Sequence, residues 1–172
     1  MANRSNFQLP SDRLPPQNIE AEEAILGGIL LDPEAISRVA ELLDPSCFYI
    51  KAHQTIYRTT LNLHLQGKPT DLMTVTTWLA DHNHLEEVGG QMKLAQLVDR
   101  TVSAVNIDQY ALLVIEKAMR RNLIQAGHET IDLGYDTAID IEEVLDQAEQ
   151  KIFNITQVRP QQNLISIAET LI

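Results

Sequence analysis

Apolar residues recur at intervals of three and four along most of this 172-residue chain, the spacing of an amphipathic α-helix, while sustained period-two alternation is absent. Asn18 stands as an N-cap ahead of IEAEEAILGGILLD, where Glu20, Glu22 and Glu23 put negative charge at the positive end of the helix dipole. Ile25, Leu26, Ile29 and Leu30 form the apolar stripe of a first helix running to about Leu31. Asp32-Pro33 and Asp44-Pro45 are further start signals, since proline in a first turn removes an N–H that has no helical partner anyway. Between them Ile36, Val39, Ala40 and Leu43 are spaced for one helix face. After Phe48, KAHQTIYRTTLNLHLQ repeats its apolar positions by turns until Gly67. Thr70 or Asp71 begins a helix marked by Met73, Val75, Trp78 and Leu79, and Gly89-Gly90 separates it from Met92, Leu94, Ala95, Leu97 and Val98. Five helices are expected by Arg100. The β-branched content of TDLMTVTTWL leaves a strand as the alternative there, but the flanking caps favour helix.

Beyond Asn106 the pattern lengthens. IDQYALLVIEKAMRRNLIQAGHETIDLGYD contains no proline and no central breaker except Gly127, which predicts one long helix. Asp140 opens a second with the capping box DIEE, closed by Glu143. Ile141, Ala148 and Ile155 recur every seven residues with Leu145 and Ile152 in a parallel column, which predicts the seam of a paired helix. The short connection at Gly134–Ala138 makes the two antiparallel neighbours. Ile107, Tyr110, Val114, Ile141, Leu145, Ala148 and Ile152 are therefore expected to hold the hairpin, with its outer face left for other protomers, and Leu145→Asp to damage it. Four consecutive apolar residues, Leu112 to Ile115, span most of a helix circumference. Either the preceding helices wrap that segment or other subunits bury part of it.

The ends differ from the middle. Residues 1–17 are polar and carry Pro10, Pro15 and Pro16, which predicts an extended or disordered arm. After Arg159-Pro160 a polar linker leads to a capping box at Ser166 and Glu169, heading a helix with no room to finish, the pattern expected of a truncated chain. The expected fold is all-α: an arm at 1–17, a compact helical domain at 18–100, a long antiparallel helical hairpin at 101–158, and a linker with the start of a linker helix at 159–172.

Composition narrows the function. The net charge is -11, from 13 Lys and Arg against 24 Asp and Glu, which repels a phosphate backbone unless Arg38, Lys51, Arg58, Lys117, Arg120 and Arg121 converge on one face. Such convergence would make a module contacting single-stranded DNA directly, the alternative reading. Arg120-Arg121 with Lys117 is the densest basic cluster, too small for a DNA footprint and better suited to pairing with acids of a neighbouring helix or subunit. A single cysteine, Cys47, allows no intrachain disulfide and no cysteine-based zinc cluster, and beside Phe48 it reads as a small buried hydrophobe. No apolar run has signal-peptide or membrane-span length, so the expected location is cytoplasmic, with no membrane partner. Gly67-Lys68 fails as a phosphate loop because Pro69 follows and Asn62 stands where the opening glycine belongs. Gly27-Gly28 sits in an apolar helix, where close helix–helix approach is its natural role. His53, His64, His82, His84 and His128 lack metal-ligand spacing. No catalytic residue, cofactor site or metal site is expected in this chain.

Several collinear stretches carry a family resemblance. LPPQNIEAEEAILGGILLD, FYIKAHQTIYR, GKPTDLMTVTTWL, VGGQMKLAQL and NIDQYALLVIEKAMRRNLIQ resemble, in order, the N-terminal region of DnaB-type replicative DNA helicases, from Leu14 to Ile172. The resemblance implies a collar above a ring of ATPase domains, self-assembly as a dimer, trimer of dimers or hexamer, and docking of primase and possibly of a helicase loader. It also implies that ATP and Mg serve a part of the helicase not represented here, through which DNA is engaged and unwound, and that QNLISIAETLI corresponds to the linker and its helix.

Overall fold

The structure, a computed structural model, describes residues 13–157, which are helical with no strand among them. The expectations for residues 1–12 and for the cap at Ser166 and Glu169 lie outside the described residues. Six α-helices follow one another: α1 Ile19–Leu31, α2 Lys51–Leu65, α3 Leu72–Asp81, α4 Gly90–Asp99, α5 Ile107–Tyr135 and α6 Ile141–Gln157.

Helix α1 is the axis of the compact part. Asn18 accepts a hydrogen bond from the Ala21 amide at 3.0 Å, and from Ala21 to Leu30 nearly every residue is buried, so the helix is enclosed on all sides by α2, α3, α4 and α5. Such enclosure requires small residues where neighbours come closest. A Cβ at Gly27 would fall on the Leu97 carbonyl and the Thr101 hydroxyl at the end of α4, and one at Gly28 would stand 3.2 Å from the Ala104 methyl. The paired glycines thus admit the α4–α5 connection against the α1 backbone.

Residues 33–43 depart from the expected α-helix. Pro33–Arg38 is a 3-10 helix capped by Asp32, and Pro45–Cys47 a second, capped by Asp44. Turns with both i to i+3 and i to i+4 bonds follow the first, the Val39 and Ala40 amides donating to the Ile36 carbonyl and those of Leu42 and Leu43 to the Val39 carbonyl. Ile36, Val39 and Leu43 are nevertheless buried together: the three-residue interval from Ile36 to Val39 aligns side chains in a 3-10 helix as it does in an α-helix, and Val39 to Leu43 is spanned by an i to i+4 turn. Four α-helices therefore precede Arg100, not five. The segment TDLMTVTTWL is helical: the Asp71 side chain accepts from the Met73 and Thr74 amides, each at 3.1 Å, and no strand forms. Those bonds and one from the Thr74 hydroxyl, the largest influence, hold the Asp71 carboxyl below its usual range.

The single helix α5 serves two structures. Ile107, Ala111, Val114 and Ile115 are part of the compact core, packed under α1, so the division expected at residue 101 runs through a shared core. Beyond Ala118 the helix is accompanied by α6, with Lys151 paired to Glu129 at 2.6 Å and Val144 buried at 7% exposure. Ala126 is buried on the α5 side. The α6 residues turned inward are Val144, Ala148, Lys151 and Ile155, one helical row, while Leu145 is 61% exposed.

Two pairs of variants check this packing. Gly27→Ala should cost about 1–3 kcal/mol in urea unfolding by overpacking, whereas Gly127→Ala, where a Cβ meets open space, should stabilise by about 0.5–1 kcal/mol. Val144→Asp should detach α6, seen as lost helical signal by circular dichroism and protease cleavage within 136–157. Leu145→Asp should leave the hairpin helical, the reverse of the sequence expectation.

Candidate docking surface

The seven residues expected to hold the hairpin are divided by the structure into three groups. Ile107 and Val114 are buried in the compact core under α1, and Tyr110 packs half-buried at its margin, so these three do not join α5 to α6. Ala148 lies half-buried on the inner row of α6. Ile141, Leu145 and Ile152, at 68%, 61% and 43% exposure, line the outer face instead. Of the two heptad columns, Ala148 and Ile155 do face inward, but Leu145 and Ile152 were read one residue out of phase: Val144 and Leu145 are adjacent, about 100° apart on a helix, and Val144 is the one that faces α5. Outward-facing apolar residues continue on α5 as Leu112, Leu113, Leu123 and Ile124, and on α6 as Phe153. The apolar surplus at 112–115 is thus shared, Val114 and Ile115 going to the core and Leu112 and Leu113 to the surface.

Three polar anchors set the hairpin and its neighbours, and none was anticipated. Arg121 donates to the carbonyls of Pro16 at 2.7 Å and Cys47 at 2.5 Å, with its guanidinium 5.5 Å from the Tyr49 ring centroid. It fixes the last part of α5 that touches the compact domain, binding backbone carbonyls where the sequence suggested acids. Arg120 pairs with Glu116 of its own helix at 2.9 Å. Arg38 donates to the carbonyls of Ala104 and Val105 at 3.2 and 2.8 Å and pairs with Asp108, tying the first 3-10 helix to the start of α5. Three of the six residues of the supposed basic stripe are therefore committed to internal bonds.

Glu22 is the third anchor. Its buried carboxylate accepts from the Tyr49 amide at 2.6 Å and from Ile50 at 3.4 Å, and lies 2.7 Å from His53 Nδ1. Helix α2 has no side-chain cap of its own, and this acid from α1 instead holds the two amides that lead into it, those of Tyr49 and Ile50. A signal existed: Glu22 precedes Ile25 and Leu26 by three and four residues and so lies on the apolar stripe. Beside it, Glu23 takes a 2.7 Å bond from Lys93 and pairs with Arg100 at 3.3 Å, and the Lys93 bond above all holds its carboxyl below the usual range.

The remaining polar groups do not converge on chemistry. Cys47 is half-buried and its thiol is pushed up mainly by burial. His82 stacks on Trp78 with centroids 3.8 Å apart, and His84 bonds Glu87 at 2.9 Å. Gly67, at φ +68°, closes the C-terminus of α2 with the Lys68 amide bonded to Leu63 at 2.9 Å, a geometry unlike a loop feeding phosphate into a helix N-terminus. That turn thus does not fit a nucleotide phosphate. Among them no group of three or more His, Cys, Asp or Glu is placed to hold a metal ion, and no helix is long and apolar enough to cross a membrane.

The arrangement has counterparts. The family described as DnaB-like helicase N terminal domain matches residues 14–116. "Replicative DNA helicase DnaB" of Nostoc sp. (strain PCC 7120) is 63% identical over 100% of this chain and 20% of its own length, and that of Synechocystis sp. (strain PCC 6803) is 58% identical over 92% and 18%. This chain thus spans about a fifth of the length of these curated relatives. The crystal structure of the N-terminal domain of DnaB helicase from Mycobacterium tuberculosis superposes with a TM-score of 0.79 at 38% identity, covering 82% of this chain and 99% of that one. A DnaB-like replicative helicase described with its interactions with primase shares the fold at a TM-score of 0.68 and 24% identity, over 83% of this chain and 32% of that one. On sequence and fold together, the chain belongs to the DnaB-like helicase N-terminal domain family.

Proposed function

We propose that this chain organises a replicative helicase, joining subunits to one another and offering a surface on which primase docks. The observation that carries the reading is the row of exposed apolar residues on the hairpin, Leu112, Leu113, Leu123 and Ile124 on α5 with Ile152 and Phe153 on α6. None of them is needed to close the compact core. Water contact over so much aliphatic and aromatic surface is unfavourable, and burial between protomers relieves it. In this proposal subunits meet through these residues as a dimer, a trimer of dimers or a hexamer, forming a collar. The DnaB-like helicase whose description includes interactions with primase supports the partner. ATP-driven unwinding of DNA, with ATP and Mg, is assigned to the helicase as a whole and to regions this chain does not match. A helicase loader is a further candidate partner. Direct guidance of single-stranded DNA is the weaker reading, since Arg38, Arg120 and Arg121 are engaged internally.

Sedimentation velocity of the chain at roughly 20–50 µM should show a species larger than a monomer, because association is concentration-driven. The double variant Leu123→Asp/Phe153→Asp should sediment as a monomer with its helical content intact, and should bind the cognate primase more weakly. A wild-type chain that stays monomeric and does not retain primase would remove both roles.

A further inference from the structure

Helix α3, the connection after it and the start of α4 enclose a groove on the compact domain that shares no residue with the hairpin. Its volume is about 740 Å³, and Leu30, Leu72, Met73, Ala80 and Leu85 supply its apolar lining. Leu72 and Leu85 rest partly buried on the core, and Met73 is 79% exposed. The two hydroxyls in the lining are already used. Thr76 donates to the Leu72 carbonyl at 2.6 Å and Thr77 to the Met73 carbonyl at 2.9 Å, each one turn back along the same helix. The groove therefore binds through aliphatic surface, and methionine, flexible and polarizable, adapts to what fills it. Ten residues make α3 about 15 Å long, the length of nearly three turns of a helix laid beside it.

Charge around the groove has one sign. Residues 69–92 carry Asp71, Asp81, Glu86 and Glu87 and no Lys or Arg. Local structure accounts for two of these, since Asp71 caps α3 and Glu87 bonds His84 at 2.9 Å. It does not account for Asp81, the last residue of α3, where the helix dipole favours a cation and the last turn has none. Asp81 and Glu86 are exposed and enter no ion pair among the described residues. Of the bases that flank this stretch, Lys93 is bonded to Glu23, and Lys68 lies on the other side of α3 with Trp78.

From this we infer that the groove beside α3 is a docking site for a cationic amphipathic helix of a partner protein, its apolar side along Leu72, Met73 and Leu85 and its Lys or Arg residues at Asp81 and Glu86. Charge complementarity selects that occupant and repels nucleic acid and anionic lipid. A second copy of this chain offers poorer matches. On α5 Leu113, Lys117 and Ile124 share a row, but that row belongs to the subunit contact proposed above, and the exposed row of α2, Lys51, Arg58 and Leu65, has a single apolar residue. The inference goes beyond the subunit joining and primase docking proposed above, which rest on the hairpin, and the two fail separately.

The test is titration of the chain with a dansyl-labelled synthetic helix of about 18 residues, Leu on one face and Lys on the other, at roughly 150 mM salt. Trp78 is the only tryptophan and stands on α3, so energy transfer from it reports a peptide seated there. The wild-type chain should bind with energy transfer, and should not bind the same peptide with Glu in place of Lys. Met73→Ser/Ala80→Gln, which changes no charge, should weaken binding about tenfold or more. Asp81→Asn/Glu86→Gln should weaken it about fivefold, whereas Glu34→Gln/Glu41→Gln, the same charge change elsewhere on the compact domain, should alter it by less than about twofold. The hairpin variant Leu123→Asp/Phe153→Asp should likewise stay within about twofold of wild type. Circular dichroism confirms that each variant keeps its helices. Absence of wild-type binding, or binding without energy transfer, would overturn the inference. Equal loss from the two paired acid variants would assign the effect to net charge, and groove variants that lose self-association would assign the groove to contacts between copies; either result would overturn it too.

Discussion

Enclosure of α1 is the constraint on which the rest depends. A helix apolar around its whole circumference is stable in water only when neighbours cover every side. Here that cover comes from four α-helices and the first 3-10 helix, and it closes because Gly27 and Gly28 let the α4–α5 connection reach the backbone. Placing that connection also places the start of α5, which Arg38 then secures through the Ala104 and Val105 carbonyls. Because α5 is one continuous helix, its direction is set within the core and carried outward to the hairpin. Position of the outer surface thus follows from packing at its root.

Beyond Ala118 the energetic logic changes. The compact part holds its shape through buried aliphatic side chains and a few anchored polar groups, Glu22 with the amides before α2 and Arg121 with two carbonyls. The hairpin has one narrow inner row, with Val144 its one buried side chain on α6, and an outer face in water. A long two-helix element with so little buried area is marginal alone, which is the condition under which a partner contributes most to its order.

Much of this was legible in the residues. Asn18, Asp32, Asp44 and Asp71 act as caps where the sequence placed them, and the long helix without proline is a single helix. The errors have physical causes. A three-residue interval cannot distinguish a 3-10 from an α-helix, so 33–38 was given the wrong helix type and the turns at 39–43 were read as its continuation. In α6 Val144 and Leu145 are adjacent and both apolar, and the heptad columns favoured the second while packing uses the first. Ile107 and Val114 match a hairpin seam as well as they match the core, and the choice between them depends on α1, which lies some eighty residues earlier in sequence. The Glu22–His53 and Arg121 anchors span contacts of 31 to 105 residues, and no local pattern encodes a bond to a distant carbonyl.

The central claim is that α1 and the root of α5 form a self-sufficient core while the distal hairpin is ordered by association. Hydrogen exchange followed by mass spectrometry at a low and a high protein concentration measures this directly. The account predicts that residues 19–31 are the most protected at both concentrations, and that protection of residues 119–157 rises as the chain associates. Protection of α1 no greater than that of α6, or hairpin protection independent of concentration while the assembled fraction rises, would contradict it.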